Sequence, residues 1–271
     1  MISENTAYSL IISGGNITIN STDDGLHTNS GDLLISGGNI VISTSDDGLT
    51  ADKNVKITGG NLTVLTSYEG IEGETIEISG GVNVVTSTDD GINAASDEST
   101  SVQRQKCYIK ISGGKTYVNA SGDGIDSNSG VLISGGEVYI YGPTSGGDGS
   151  LDADTGIIVN GGILIAVGSS GMVETPASNS LQNVVSINLS AIASGKVEIK
   201  SGSQVVASFD PVAVFWLTKN YQSIVISVKD FVNGQTYSVV SGTTTTSATI
   251  SGIITKICQA AGPGGPGRPP R

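Results

Sequence analysis

The chain has 271 residues, enough for one large or two ordinary domains, and its 37% apolar residues and 39 glycines are compatible with a packed core. With 25 acidic against 13 basic residues the net charge is −12. That excludes generic nucleic-acid binding and docking on an anionic membrane surface, because little here would neutralise phosphates. No run of 18 apolar residues offers a membrane span.

The first residues, MISENTAYSL, lack the basic and apolar regions of a secretory signal and pass almost at once into repeat-like sequence. The expectation is a fragment or a mature domain. Low charge with many Ser, Thr, Asn and Gly residues suits a secreted, extracellular or cell-surface protein.

A Ser-Gly-Gly-like triplet then recurs at Ser13-Gly14-Gly15, Ser36-Gly37-Gly38, Thr58-Gly59-Gly60, Ser79-Gly80-Gly81, Ser112-Gly113-Gly114, Ser134-Gly135-Gly136 and Asn160-Gly161-Gly162. The steps are 23, 22, 21, 33, 22 and 26 residues, the long one carrying an extra polar segment from Ala94 to Lys106. Ten residues after each of the first five triplets stands an acid-Gly pair, closing on Gly25, Gly48, Gly70, Gly91 and Gly124; Gly149 arrives three residues late. Between landmarks the apolar pattern has period two, the signature of strands. Leu10, Leu33, Val55, Ile76, Ile109, Val131 and Ile157 form one column and Ile12, Ile35, Ile57, Ile78, Ile111, Ile133 and Val159 a second. Further columns hold Ile19, Ile42, Val64, Val85, Val118 and Ile140, and Leu26, Leu49, Ile71, Ile92 and Ile125.

Strands this short bury an apolar face only by stacking, about 4.8 Å from coil to coil. The predicted fold is all-β, a right-handed parallel β-helix of about seven rungs over residues 1–171. Residues 172–258, with VEIK, VAVFWL, SIVISV and TYSVV, read as a β-rich C-terminal cap or subdomain, since an open solenoid end exposes strand edges. Trp216, Phe209, Phe215 and Phe231 all fall there, as cap core or as an aromatic platform for sugars. The tail 259–271 is Gly/Pro-rich linker sequence. Cys107 and Cys258 match no metal or redox spacing; a bridge and two separate thiols both stay open.

Stacking would gather the acids Asp23, Asp24, Asp46, Asp47, Glu69, Asp89, Asp90, Asp123 and Asp148 along one edge, with Asp52, Glu72, Asp126, Asp152 and Asp154 close behind. Carboxylates ~5 Å apart repel by roughly 3 kcal/mol per pair at an effective dielectric near 20. A hard cation resolves this: Ca2+ takes six to eight oxygen ligands, and one His with two distant Cys offers no soft-metal site. Turn chemistry alone also explains Asp-Gly, with Asp capping its own backbone; the two roles can coexist. An outward column places Tyr117 and Tyr139 on adjacent rungs, as a ligand-binding stack for sugar rings or as a cross-strand pair.

The units SGGNITINSTDDGLHTNSG, SGGNIVISTSDDGLTAD and SGGVNVVTSTDDGINAASD resemble a family of secreted bacterial carbohydrate-binding parallel β-helix proteins from plant-biomass-degrading clostridia, pectate-lyase-like and calcium-binding. The likeness is close from Ile12 to Gly171 and looser beyond, as in TYSVVSG. It implies calcium on Asp23, Asp24, Asp46, Asp47, Asp89 and Asp90, and more weakly on Glu69, Asp123 and Asp126, whose rungs keep one acid of the pair. It also implies a polysaccharide partner, cellulose or an acidic pectic polymer such as polygalacturonate, bound without cleavage. Calcium on the acidic edge would bridge a protein of charge −12 to a polyuronate. Two alternatives stay open. A calcium-dependent lyase needs a base, for which Lys53 is the nearest lysine, with Lys110 and Lys115 behind it. A head-to-tail homo-oligomer or filament needs only open solenoid ends.

Overall fold

A computed structural model describes residues 9–96, 101–104 and 106–258. It is a parallel β-helix of about seven rungs, built from three strand ladders whose inward columns the period-two pattern defines. In the first ladder Leu10, Leu33, Val55, Ile76, Ile109, Val131 and Ile157 stand in register, as do Ile12 to Val159 two positions on. The second ladder begins after the glycine corner, with Ile19, Ile42, Val64, Val85, Val118, Ile140 and Ala166 in register. The third is short and aligns Leu26, Leu49, Ile71, Ile92 and Ile125. These residues pack into one core, fully shielded from Leu33 onward at nearly every position.

The corners explain the glycines. The second glycine of each triplet has positive φ, as at Gly38 (97°) and Gly114 (74°), where a side chain would be strained. Asn residues that follow the triplet stack as well: Asn39 Nδ2 donates to Asn16 Oδ1 at 2.9 Å and Asn61 Nδ2 to Asn39 Oδ1 at 2.7 Å. The inserted segment of the long repeat carries a short helix, Ser101–Arg104.

Past the last rung the pairing changes sense. Strand Ile163–Gly168 pairs antiparallel with Asn220–Val228, which pairs antiparallel with Val184–Ser194, and Ile254–Cys258 runs parallel beside that last strand. The open edge of the second ladder is thereby covered, as a solenoid end requires. Val197–Ser201, Gln204–Phe209, Thr236–Ser241 and Thr244–Thr249 form a separate four-stranded antiparallel sheet. Its apolar face (Val197, Ile199, Phe209, Val239) packs with Tyr139, Tyr141 and Ile165 of the solenoid in a second core. Cys107 is buried, Cys258 is exposed, and no disulfide joins them. The tail 259–271 and residues 1–8 lie outside the described residues. No helix among the described residues is long and apolar enough to cross a membrane.

Candidate functional site

The acid-Gly corners stack in register, each Gly N–H bonding to the carbonyl of the acid on the next rung: Gly25 to Asp47, Gly48 to Glu69, Gly70 to Asp90 and Gly91 to Asp123. The acid immediately before each glycine uses one carboxylate oxygen to extend this ladder. Asp47 N–H donates to Asp24 Oδ1 (3.2 Å), Glu69 N–H to Asp47 Oδ1 (3.0 Å), Asp123 N–H to Asp90 Oδ1 (2.7 Å) and Gly149 N–H to Asp123 Oδ1 (2.6 Å). Glu69, one methylene longer, breaks the series. Both its oxygens accept from Asn93 Nδ2 at 3.0 Å. The carboxylates of Asp24, Asp47, Asp90 and Asp123 are therefore part of the turn architecture, each capping a backbone N–H of the following coil.

In the first two pairs the acids separate. Asp23 and Asp46 are exposed, while Asp24 and Asp47 are half-buried in the column. Asp89 accepts a hydrogen bond from the Tyr68 hydroxyl, which pushes the Tyr68 pKa up to about 12. The rung after it carries Gly122 in place of an acid because a Cβ there would lie 2.6 Å from Asp89 Oδ1 and 2.5 Å from Asp90 Oδ1.

A second row runs alongside on the third ladder, in the order His27, Thr50, Glu72, Asn93 and Asp126. His27 Nδ1 lies 2.6 Å from Asp24 Oδ2, and Thr50 Oγ1 donates to Glu72 Oε2 at 3.2 Å. Asp148 Oδ2 accepts from the Ser145 hydroxyl at 3.1 Å. Asp152 is hydrogen-bonded to Glu174, a residue without any repeat landmark, whose Oε2 also accepts from Ala153 N–H at 2.8 Å.

Burial and mutual repulsion make this column electrostatically costly. Desolvation, followed by the charge of Glu72, raises Glu69 to about 8. Desolvation with Asp90, Asp126 and Asp152 nearby raises Asp123 to about 7. Asp90 and Asp126 are lifted to about 6 by burial and by neighbouring carboxylates. Burial, then Asp152, raises Glu174 to about 7, and burial with Asp24 and Asp46 beside it raises Asp47. Anions driven toward protonation in this way favour any cation that replaces the proton.

The donor chemistry fits a hard cation: carboxylate and amide oxygens dominate, and Asn93 Oδ1 is a buried acceptor with no hydrogen-bond donor. Among the described residues no three His, Cys, Asp or Glu side chains converge into a preformed metal cage. A cleft of about 630 Å³ borders the upper column, lined by Asp24, His27, Asp47, Thr50, Lys53 and Glu72 among others. Lys53 alone of the three candidate lysines lines it. Lys115 is paired with Glu137 at 2.8 Å, and Lys110 lines a different groove.

The tyrosine stack forms as the register demands, with ring centroids of Tyr117 and Tyr139 5.0 Å apart and planes inclined by 15°. It is nevertheless not an exposed platform, which corrects the sugar-stacking expectation. Phe209 of the four-stranded sheet lies over it, 5.3 Å from Tyr139 and 6.4 Å from Tyr117, leaving Tyr139 only 6% exposed. Phe209 and Phe231 join the cap core, whereas Trp216 leaves it. Trp216 ends the short helix Pro211–Phe215 in a left-handed conformation (φ 56°) and is 90% exposed.

Neither a curated protein nor a solved structure matches the chain. A family model described as "Carbohydrate-binding domain-containing protein" matches residues 5–95 and 49–215, covering the solenoid and the beginning of the C-terminal part. The chain belongs to this family of carbohydrate-binding domain-containing proteins.

Proposed function

We propose that the protein binds acidic plant-type polysaccharide of the polygalacturonate kind through calcium held on its acidic corner, without cleaving it. Carbohydrate binding follows from the family. The observation that carries the calcium reading is the column of desolvated carboxylates, with Glu69 raised to about 8 and Asp123 to about 7 and Asn93 Oδ1 left without a donor. Asp24, Asp47, Glu69 and Glu72 would hold metal beside the cleft, and Asp90, Asp123, Asp126, Asp148 and Asp152 farther along the column. Bound calcium supplies the positive charge that lets a uronate carboxylate approach a chain of net charge −12. Thr50 and Lys53 on the cleft lining are donors for sugar hydroxyls and uronate oxygens.

The double variant Asp46→Asn with Asp47→Asn tests this. The amide oxygen of an asparagine at position 47 can still accept the Glu69 N–H, so the turn survives while two charges go. Calorimetry with calcium should show reduced metal uptake by the double variant, together with weaker retention on polygalacturonate. Equal uptake by the two proteins would remove calcium from this corner. Appearance of unsaturated uronate absorbance during the binding assay would convert the reading to a lyase with Lys53 as its candidate base.

A further inference from the structure

On the outer face of the first ladder a groove of about 440 Å³ crosses three rungs. Its origin is a row of unequal side chains. Tyr108, Gly130 and Gly156 stand in register, so the ring of Tyr108 ends abruptly at two positions with no side chain. A Cβ on Gly156 would meet nothing within 4 Å and would project into open space. Leu132 and Ile158, in register with Lys110, line this space, with the hydroxyl residues Ser129 and Thr155 beside them. Tyr108 is 39% exposed, and its hydroxyl is anchored on Glu77 Oε1 at 3.0 Å.

The charges of this flank are uneven. Glu77 is taken up by Tyr108 and by Lys56, whose Nζ lies 3.5 Å from Glu77 Oε2. Asp154, next to Thr155, is paired with Arg104 at 3.3 Å. Lys110 is exposed and makes no ion pair among the described residues. In a strongly acidic protein an unpaired ammonium at the rim of a groove with an aromatic wall is a complementary site for a sugar acid. The apolar lining and the Tyr ring match the face of a pyranose ring, the hydroxyls match its rim, and Lys110 matches its carboxylate. Three rungs at ~4.8 Å spacing give the groove roughly the length of a disaccharide.

We propose that the groove between Tyr108 and Ile158 is a calcium-independent subsite for a short stretch of uronate polysaccharide, with Lys110 holding a carboxylate and Tyr108 stacking on a ring. The inference rests on the carbohydrate-binding reading but not on calcium at the acidic corner. It is tested by titrating trigalacturonate into the wild type, Lys110→Gln and Tyr108→Ala in excess EDTA, with cellotriose as the uncharged comparator. The wild type should bind trigalacturonate without calcium, and Lys110→Gln should bind it about tenfold more weakly, the effect of one charge-assisted contact. Lys110→Gln should leave any cellotriose affinity unchanged, while Tyr108→Ala should lower both. Lys110 is exposed, so unchanged melting of Lys110→Gln separates lost binding from lost fold. Wild-type affinity in both variants would overturn the subsite. So would trigalacturonate binding in calcium with none in EDTA, an outcome that leaves the acidic-corner reading standing. Binding lost in Lys110→Gln but indifferent to calcium would sustain the subsite and overturn the acidic-corner reading.

Discussion

At the scale of single residues, the same letter in the same repeat position answers to different constraints. Gly14 and Gly80 are each the first glycine of a triplet, and neither has positive φ. A Cβ on Gly14 would meet nothing within 4 Å, because no described coil precedes it, whereas a Cβ on Gly80 would stand 2.2 Å from the carbonyl oxygen of Thr58 on the preceding rung. Backbone cannot give way as a side-chain tip can, so the coil must separate or shift. Gly80→Ala is therefore expected to destabilise by ~2 kcal/mol, within the range for overpacking, and Gly14→Ala to be nearly neutral. Urea unfolding of the two variants checks this. Similar losses for both would mean that flexibility, rather than coil-to-coil approach, selects glycine at this position.

At the scale of elements, the docking of the four-stranded sheet rests on aromatic packing. Phe209 is 1% exposed and touches Tyr117, Tyr139 and Tyr141, the last edge-on at 6.5 Å. Phe209→Ala should cost ~3 kcal/mol or more in denaturant unfolding and raise the solvent accessibility of the Tyr117–Tyr139 stack. A variant with unchanged stability would show that the sheet is held by other contacts. This element also marks where the sequence stopped being legible. The inward columns from Leu33 to Val159 were readable because each rung repeats the same offsets, and adjacent rungs must then pair. The Tyr stack followed from that register, but its burial depends on Phe209, 70 positions beyond Tyr139 and outside any repeat. The same gap left Trp216 undecided: its apolar run was open to a place in the cap core or on an exposed platform, and only the short helix shows that it turns outward. In the acidic corner the offset located the column, while the division between exposed Asp46 and half-buried Asp47 needed the backbone. Glu174 had no landmark at all, because the chain returns to the column there without repeating its motif.

At the scale of the whole molecule, the acid column makes stability depend on pH in an unusual sense. Most native carboxylates are held below their ordinary values, but here Glu69 sits at about 8, Asp123 and Glu174 at about 7, and Asp90 and Asp126 at about 6. Each starts from an ordinary value of 3.8 or 4.5. Between about pH 4.5 and 8 the folded chain thus binds more protons than the unfolded chain, and stability falls as pH rises. The contribution is complete below the ordinary carboxylate range and is lost as the pH passes 6 to 8. Lys219, lowered by burial to about 8, has the opposite sign and acts only above that pH. Without calcium, the melting temperature should therefore drop between pH 5 and pH 8. Calcium held as proposed on these oxygens would compete with the protons, so its stabilisation should grow over the same interval. One site at 100 times its Kd contributes about 2.7 kcal/mol, enough to flatten or reverse the slope. Thermal melts at pH 5, 6.5 and 8, in EDTA and in calcium, measure both effects. An apo protein that melts higher at pH 8 than at pH 5 would mean that the column is solvated. A falling apo curve that calcium leaves unchanged would mean that the carboxylates are buried for the turns alone.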